Sequence, residues 1–265
     1  MFLHYYCITP LRHYQLTKMY KRHLVIAPYL LENPDILEFY RLLITKGADV
    51  ILDNGVYETG KPMDLDDYFK VIRKLKPTQV VAPDVWGDWQ NTVLRVDEFF
   101  GRVEKERLET KFEMMGVPHG NNIEEWMKCY YDIIPMCDVI GLSVGEWDDK
   151  LSIIRPFFAM NLDSRFDHVP IHLLGLWNAD ELQSYITSVD DAGNVVKHPR
   201  IRSVDTSMPF KLAMRNKSIG TRFIPSDVKS DFTKMDFKAE WTEEQQKIAI
   251  SNVETLKKWV EGKDE

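Results

Sequence analysis

Short apolar runs alternate with amphipathic segments along almost the whole chain, and this alternation narrows the fold more than any other feature. The pattern predicts a strand over residues 2–8, rich in aromatic and β-forming residues. A helical stretch over 10–22 follows, opened by Pro10. A short buried strand over 23–27 is closed by Pro28. The next helix, 34–46, carries Ile36, Leu37, Tyr40, Leu43 and Ile44 on one face, with Gly47 as its C-cap. The alternation then repeats. Strand 50–52 ends at Asp53 and precedes a helix over 64–75; strand 79–82 ends at Pro83-Asp84 and precedes a helix over 89–108. Strand 111–117 ends at Pro118-His119-Gly120, before a helix over 122–134. Strand 138–141 precedes a helix through about 158, and strand 169–174 precedes one over 178–187. A final strand, 201–204, ends at Asp205, and Pro209 stops its continuation. Continuous apolar strands with helical crossovers mark a parallel sheet covered by helices. About eight such units in 265 residues predict an α/β fold of the (β/α)8 TIM-type barrel class. No G-x-G-x-x-G follows the first strand, which removes the best argument for an open dinucleotide-binding sheet. Residues 226–240 are polar and aperiodic, and Thr242 is a reasonable cap for a closing helix running to about 260. With no internal repeat or low-complexity linker, residues 1–265 read as one domain with a C-terminal extension over 226–265.

A hydrophobic content of 44% with 28% charged residues is ordinary for a soluble globular protein. No apolar stretch approaches a membrane span and the first residues do not form a signal peptide, so the expectation is a cytoplasmic protein with no membrane partner. Cys7, Cys129 and Cys137 are odd in number and lack C-x-x-C spacing, which argues against a disulfide framework or a zinc knuckle. The formal net charge of -7 opposes nonspecific attraction to a phosphate chain. Locally the balance reverses: from Lys197 to Arg222 there are seven Lys or Arg and one acid, Asp205. An acid set among Lys211, Arg215, Lys217 and Arg222 suits chemistry on an anionic substrate whose phosphate is held beside the carboxylate.

Further polar residues gather at predicted strand ends, where a barrel of this class carries its reactive groups. They are Asp53-Asn54-Gly55-Val56-Tyr57, Pro83-Asp84, Pro118-His119-Gly120, Gly141-Leu142-Ser143-Val144-Gly145-Glu146 and Asp205. Each alone has a structural alternative. Asp53 can open a turn, Asp84 can form an Asx-turn, and His119 or Asp205 can cap the helix that follows. Together they place carboxylates on three different strands.

In this order the segments resemble the tRNA-guanine transglycosylase family, enzymes that exchange a guanine base for a 7-deazaguanine on a (β/α)8 barrel. The family's G-L-[AS]-V-G-E stands intact as Gly141 to Glu146. Asp53-Asn54-Gly55-Val56-Tyr57-Glu58 is similar to its D-S-G-G-[YF]-Q. Asp205-Thr206-Ser207-Met208-Pro209, with Arg215-Asn216 beyond, is similar to its D-x-x-[ML]-P and later Arg-Asn. His172-Leu173-Leu174-Gly175-Leu176 resembles its Y-L-M-G-V. The similarity runs from about residue 50 to 220.

The resemblance implies roles. Asp205 would be the nucleophile that takes the sugar carbon, and Asp53 the general acid/base for the ring nitrogen of the base. Tyr57 would stack on the base, Asp84 would pair with its Watson–Crick edge, and the backbone from Gly141 through Leu142, Ser143, Val144 and Gly145 would lie at its exocyclic oxygen. Departures are equally specific. His119 stands where the family has a base-reading glutamine in Q-G-G, and Val56 and Glu58 replace a Gly and a Gln. The family's zinc module, C-x-C-x-x-C with a later His, has no counterpart, and His4, His13, His23, His168 and His198 lack ligand spacing. Neither zinc nor another cofactor is therefore expected. Short forms without that module resemble the DNA-modifying branch found in phages and genomic islands. The implied partners are DNA and a free 7-deazaguanine base, with a homodimer or an accessory protein left open. The target base would be flipped from the stack, and Trp86, Trp89, Trp147 and Trp177 offer either wedges for it or ordinary packing. The alternatives are a compact tRNA enzyme, a base hydrolase, or a noncatalytic base-binding or partner subunit; the presence of both Asp53 and Asp205 speaks against the last.

Overall fold

A computed structural model of the protein describes residues 3–108, 111–143, 168–175, 187–189, 195–197, 200–220 and 240–261. The elements in chain order begin with β1 (His4–Cys7), a 3₁₀ helix (Leu11–Thr17), β2 (Arg22–Ile26), α1 (Ala27–Glu32) and α2 (Pro34–Thr45). Next come β3 (Asp49–Asp53), α3 (Val56–Thr59), α4 (Leu65–Leu75), β4 (Gln79–Val81) and α5 (Trp89–Glu106). They are followed by β5 (Glu113–Gly116), α6 (Ile123–Ile133), a 3₁₀ turn (Ile134–Met136), β6 (Val139–Leu142) and β7 (Ile171–Leu173). The last are β8 (Thr187–Val189), β9 (Val195–Lys197), β10 (Ile201–Thr206), α7 (Met208–Met214) and α8 (Glu243–Glu261). Eight strands close a parallel barrel in the order β1-β10-β7-β6-β5-β4-β3-β2. The fold is a (β/α)8 TIM-type barrel with a C-terminal helix.

The chain divides into two compact units, Leu24–His172 and Met1–His23 with Leu173–Glu265. In the first, Val50, Ile51, Leu52, Val80, Val81, Met115, Val139 and Ile140 are fully buried. Strands covered on both faces must be apolar throughout, which is why they read as unbroken runs. Register sets Leu52 against Val80, Val80 against Met114 and Met115 against Val139. The helices follow the 3.6-residue period: α4 buries Tyr68, Val71, Ile72 and Leu75, and α6 buries Trp126, Cys129, Tyr130 and Ile133. Side-chain caps begin three of them. Asp64, Asp88 and Asn122 accept from the N–H groups of Asp67, Asn91 and Glu125.

In the second unit β1 and β10 pair in parallel from His4 opposite Ser203 to Cys7 opposite Thr206. Glu261 of α8 ties down β1: its Oε1 accepts from the Tyr5 N–H at 3.2 Å and from Arg22 Nη1 at 2.8 Å. Asn252, buried in α8, accepts from the Ile219 N–H and donates to the carbonyls of Pro209 and Lys217. Thr242 and Gln245 form a reciprocal capping box at the start of α8, at 3.2 and 2.9 Å.

Several boundaries differ from the expectation. Pro28 and Pro209 do not merely stop strands; each lies in the first turn of a helix, α1 and α7, where its missing N–H costs nothing. Asp205 lies within β10 rather than beyond it, because pairing with β1 continues through Thr206. The stretch 10–22 holds only the 3₁₀ helix Leu11–Thr17, and α3 forms where a loop was expected. Thr187 belongs to β8, antiparallel to β9, rather than to a helix end; two β-branched runs flank the turn-prone Asp190-Asp191-Ala192-Gly193-Asn194. The remainder of that predicted helix, the helix through 158 and residues 226–239 lie outside the described residues.

Candidate functional site

In the unit Leu24–His172, the ends of β3, β4 and β5 are joined by one buried polar cluster. Asn54, 2% exposed, is its centre. Its Nδ2 donates to the Ala82 carbonyl at 3.0 Å and to Asp84 Oδ1 at 2.6 Å, while its Oδ1 accepts from the Val56 N–H at 2.9 Å. Asp84 Oδ2 lies 2.5 Å from His119 Nε2, and both residues are buried. The His119 N–H points at Cys129 Sγ, 3.4 Å away. Trp86 packs on the His119 ring with centroids 5.7 Å apart, and Tyr57 packs on Trp86, also at 5.7 Å. Tyr57 is 47% exposed, so the aromatic row runs from the surface to the buried histidine.

Local backbone requirements explain the loop after β3. Asp53 Oδ1 accepts from the Gly55 N–H at 2.6 Å, an Asx-turn that starts α3. Gly55 has φ of 78°, and a Cβ there would lie 2.8 Å from Pro28 Cδ. Only glycine fits. Beneath the loop, the buried Tyr68 hydroxyl lies 3.1 Å from the Leu52 carbonyl and 2.7 Å from that of Val81, bridging the ends of β3 and β4. Burial first, then the nearby Asp53 and Asp84, holds its pKa well above the usual range, so it remains a protonated donor.

In the other unit, Asp205 is 2% exposed near the C-terminal end of β10. The Gly175 N–H faces both carboxylate oxygens, at 3.2 and 3.3 Å. Gly175 has φ of 66°, the left-handed conformation that lets the chain turn after β7 and present this amide. The Thr206 hydroxyl accepts from the Met208 N–H at 3.1 Å, and the Thr206 carbonyl accepts from the Tyr5 hydroxyl at 3.3 Å. Tyr5 is held protonated, chiefly by burial and then by Cys7 and the Asp205 charge. Burial likewise pushes the Cys7 thiol up to about 12.

The structure therefore joins Asp84 to His119 directly and to Asn54, links Tyr57 to His119 through Trp86, and puts Asp53 beside Asn54 in the same loop. Gly141 and Leu142 are buried in β6 and Ser143 follows them; Val144 and Gly145 lie outside the described residues, as does Arg222. Lys211 lies in α7, Arg215 caps its C-terminus and is exposed, and Lys217 follows half-buried. Two parts of the cluster carried weak sequence signals. Asn54 is a common turn residue type and Tyr68 falls on the buried face of α4, so neither residue type by itself marks the cluster. Among the described residues no group of three or more His, Cys, Asp or Glu is arranged to hold a metal ion, and no helix is long and apolar enough to cross a membrane. Comparison with protein-family models and with curated proteins finds no match.

Proposed function

We propose that the protein is a guanine transglycosylase that exchanges guanine in DNA for a 7-deazaguanine base. The observation that carries this reading is the buried Asp205 carboxylate at the C-terminal end of a parallel barrel strand, in a segment that also matches the family's nucleophile motif. A carboxylate can split the exchange into two displacements. In the first, an Asp205 oxygen bonds to C1′ as the C1′–N9 bond breaks. The bonding pair stays on the departing guanine, which takes a proton from Asp53 acting as acid. In the second, N9 of the incoming base bonds to C1′ as the Asp205 ester breaks, and its proton passes to Asp53. The reading requires Asp53 and Asp205 to reach the same sugar–base bond. Tyr57 and Trp86 supply aromatic faces for a planar base taken out of the stack. The backbone of Gly141 to Gly145 is assigned to its exocyclic oxygen, and Lys211, Arg215, Lys217 and Arg222 to the neighbouring phosphates. DNA is favoured over tRNA because the sequence carries no counterpart of the family's zinc module.

The test is incorporation of labelled guanine and labelled 7-deazaguanine precursors, in nitrile and amine forms, into duplex DNA and unmodified tRNA side by side. Label in DNA, lost in Asp205→Asn, is the expected result. Label in tRNA alone would move the substrate assignment to tRNA. Label in neither would favour a noncatalytic subunit, and near wild-type exchange by Asp205→Asn would overturn the nucleophile assignment.

A further inference from the structure

We infer that His119 reads the ring N1–H of a guanine-type base through Nδ1 acting as an acceptor, with Asp84 and Asn54 fixing that polarity. This rests on the base-binding part of the function proposed above. The chain of reasoning starts at backbone groups whose roles cannot change. The Val56 N–H can only donate and the Ala82 carbonyl can only accept, so the Asn54 amide has one permitted orientation. Its Nδ2 therefore donates to Asp84 Oδ1 at 2.6 Å. That leaves Asp84 Oδ2 facing His119 Nε2 at 2.5 Å. A carboxylate only accepts, so Nε2 carries the ring proton and Nδ1 of the neutral ring is left with a lone pair.

His119 is 3% exposed, and Nδ1 has no hydrogen-bond partner among the described residues. Nδ1 is not among the fully enclosed side-chain atoms that lack a partner, so the ring, though buried, keeps this one atom open to an approaching donor. The row from exposed Tyr57 through Trp86 to His119 supplies aromatic surface beside the atom. A purine lying along it would direct an edge at Nδ1. Guanine and 7-deazaguanine both present N1–H there, whereas a base with a bare N1 presents a second lone pair. A locked acceptor thus discriminates by a lost bond and by repulsion together.

Asp84→Asn inverts the contact without moving a heavy atom. The Asn54 Nδ2 still requires an oxygen, so the new amide turns its NH2 towards His119. The NH2 donates to Nε2, and the ring proton relocates to Nδ1. The measurement is binding of free guanine and of free 2-aminopurine, which keeps the exocyclic amine but has a bare N1, followed by calorimetry or tryptophan quenching. Wild type is expected to prefer guanine by roughly five- to a hundredfold, and Asp84→Asn to prefer 2-aminopurine. His119→Phe keeps an aromatic ring and removes the acceptor, and should bring the ratio close to one. If Asp84→Asn fails to fold by circular dichroism, His119→Phe decides alone. Unchanged selectivity in the folded variants would overturn this inference while leaving base exchange standing. Failure of wild type to bind either base would overturn the base-binding reading and this inference with it.

Discussion

Replacing Asn54 by Ala removes three hydrogen bonds at once from a position where water cannot substitute freely. Two of them, to the Ala82 carbonyl and from the Val56 N–H, join neutral groups, and each is worth about 1 kcal/mol net. The third, to Asp84 Oδ1, reaches a buried carboxylate and is worth about 2 kcal/mol. The expected loss is therefore about 4 kcal/mol, a large share of the roughly 5–15 kcal/mol that stabilises a typical domain. Urea unfolding followed by tryptophan fluorescence measures it directly, as a lower midpoint at unchanged slope. Asn54→Asp supplies the complementary test, since it keeps the shape but sets oxygen against Asp84 Oδ1 and the Ala82 carbonyl. The added carboxylate would be forced to bind its proton more tightly in the folded state, so the deficit of Asn54→Asp should be greatest near neutral pH and shrink as pH falls. A cost below about 1 kcal/mol for Asn54→Ala would refute the reasoning. It would mean that Asp84 and the loop after β3 are held by something other than this amide.

Three further measurements follow from the same structure. Tyr68→Phe leaves the Leu52 and Val81 carbonyls without the hydroxyl they share, and should cost about 1 kcal/mol in the same unfolding assay, with no loss if the hydroxyl bridge is idle. Thr242→Ala removes one half of the α8 capping box and should cost about 1 kcal/mol; a double-mutant cycle with Gln245→Ala should show the two to be non-additive. Burial pushes the thiols of Cys7 and Cys129 from 9.0 up to about 12, so the folded state keeps protons that the unfolded chain releases. Their contribution is intact below the unfolded value and is lost as pH rises from about 9 towards about 12, lowering the urea midpoint over that window; a flat midpoint would contradict their burial.

The barrel was legible because its strands are buried on both faces, so that Val50-Ile51-Leu52 and Val139-Ile140 appear as uninterrupted apolar runs, while Tyr68, Val71, Ile72 and Leu75 mark the intervening helix by their spacing. Boundaries at prolines were not. A residue that cannot continue a strand is equally suited to open a helix, and only the pairing of Cys7 with Thr206 decides where β10 ends. The same division holds in the site. Local order around Asp53, Asp84, His119 and Asp205 put each near a strand end, since a strand-to-helix turn is a local event. What grips each of them is not local. Asn54 lies 30 positions from Asp84, His119 lies 35 from Asp84, and Tyr5 lies 201 from Thr206, separations across which periodicity carries no information.

The pairing of β1 with β10 also has a consequence in time. Leu24–His172 is one continuous stretch, so its strands can meet without waiting for any later part of the barrel to be made. β1 has no such freedom. At about 5–20 residues per second, the 201 positions between Tyr5 and Thr206 impose a wait of roughly 10–40 s before β10, its partner on the side away from β2, exists. The wait is longer still before Glu261 of α8 can reach the Tyr5 N–H. Through that interval the aromatic edge of β1 stands unsatisfied, a hazard for self-association that a nascent chain must be shielded from. Asp205 therefore comes into register only after the whole of Leu24–His172 has been made, so that a chain stalled before β10 lacks the carboxylate assigned as nucleophile.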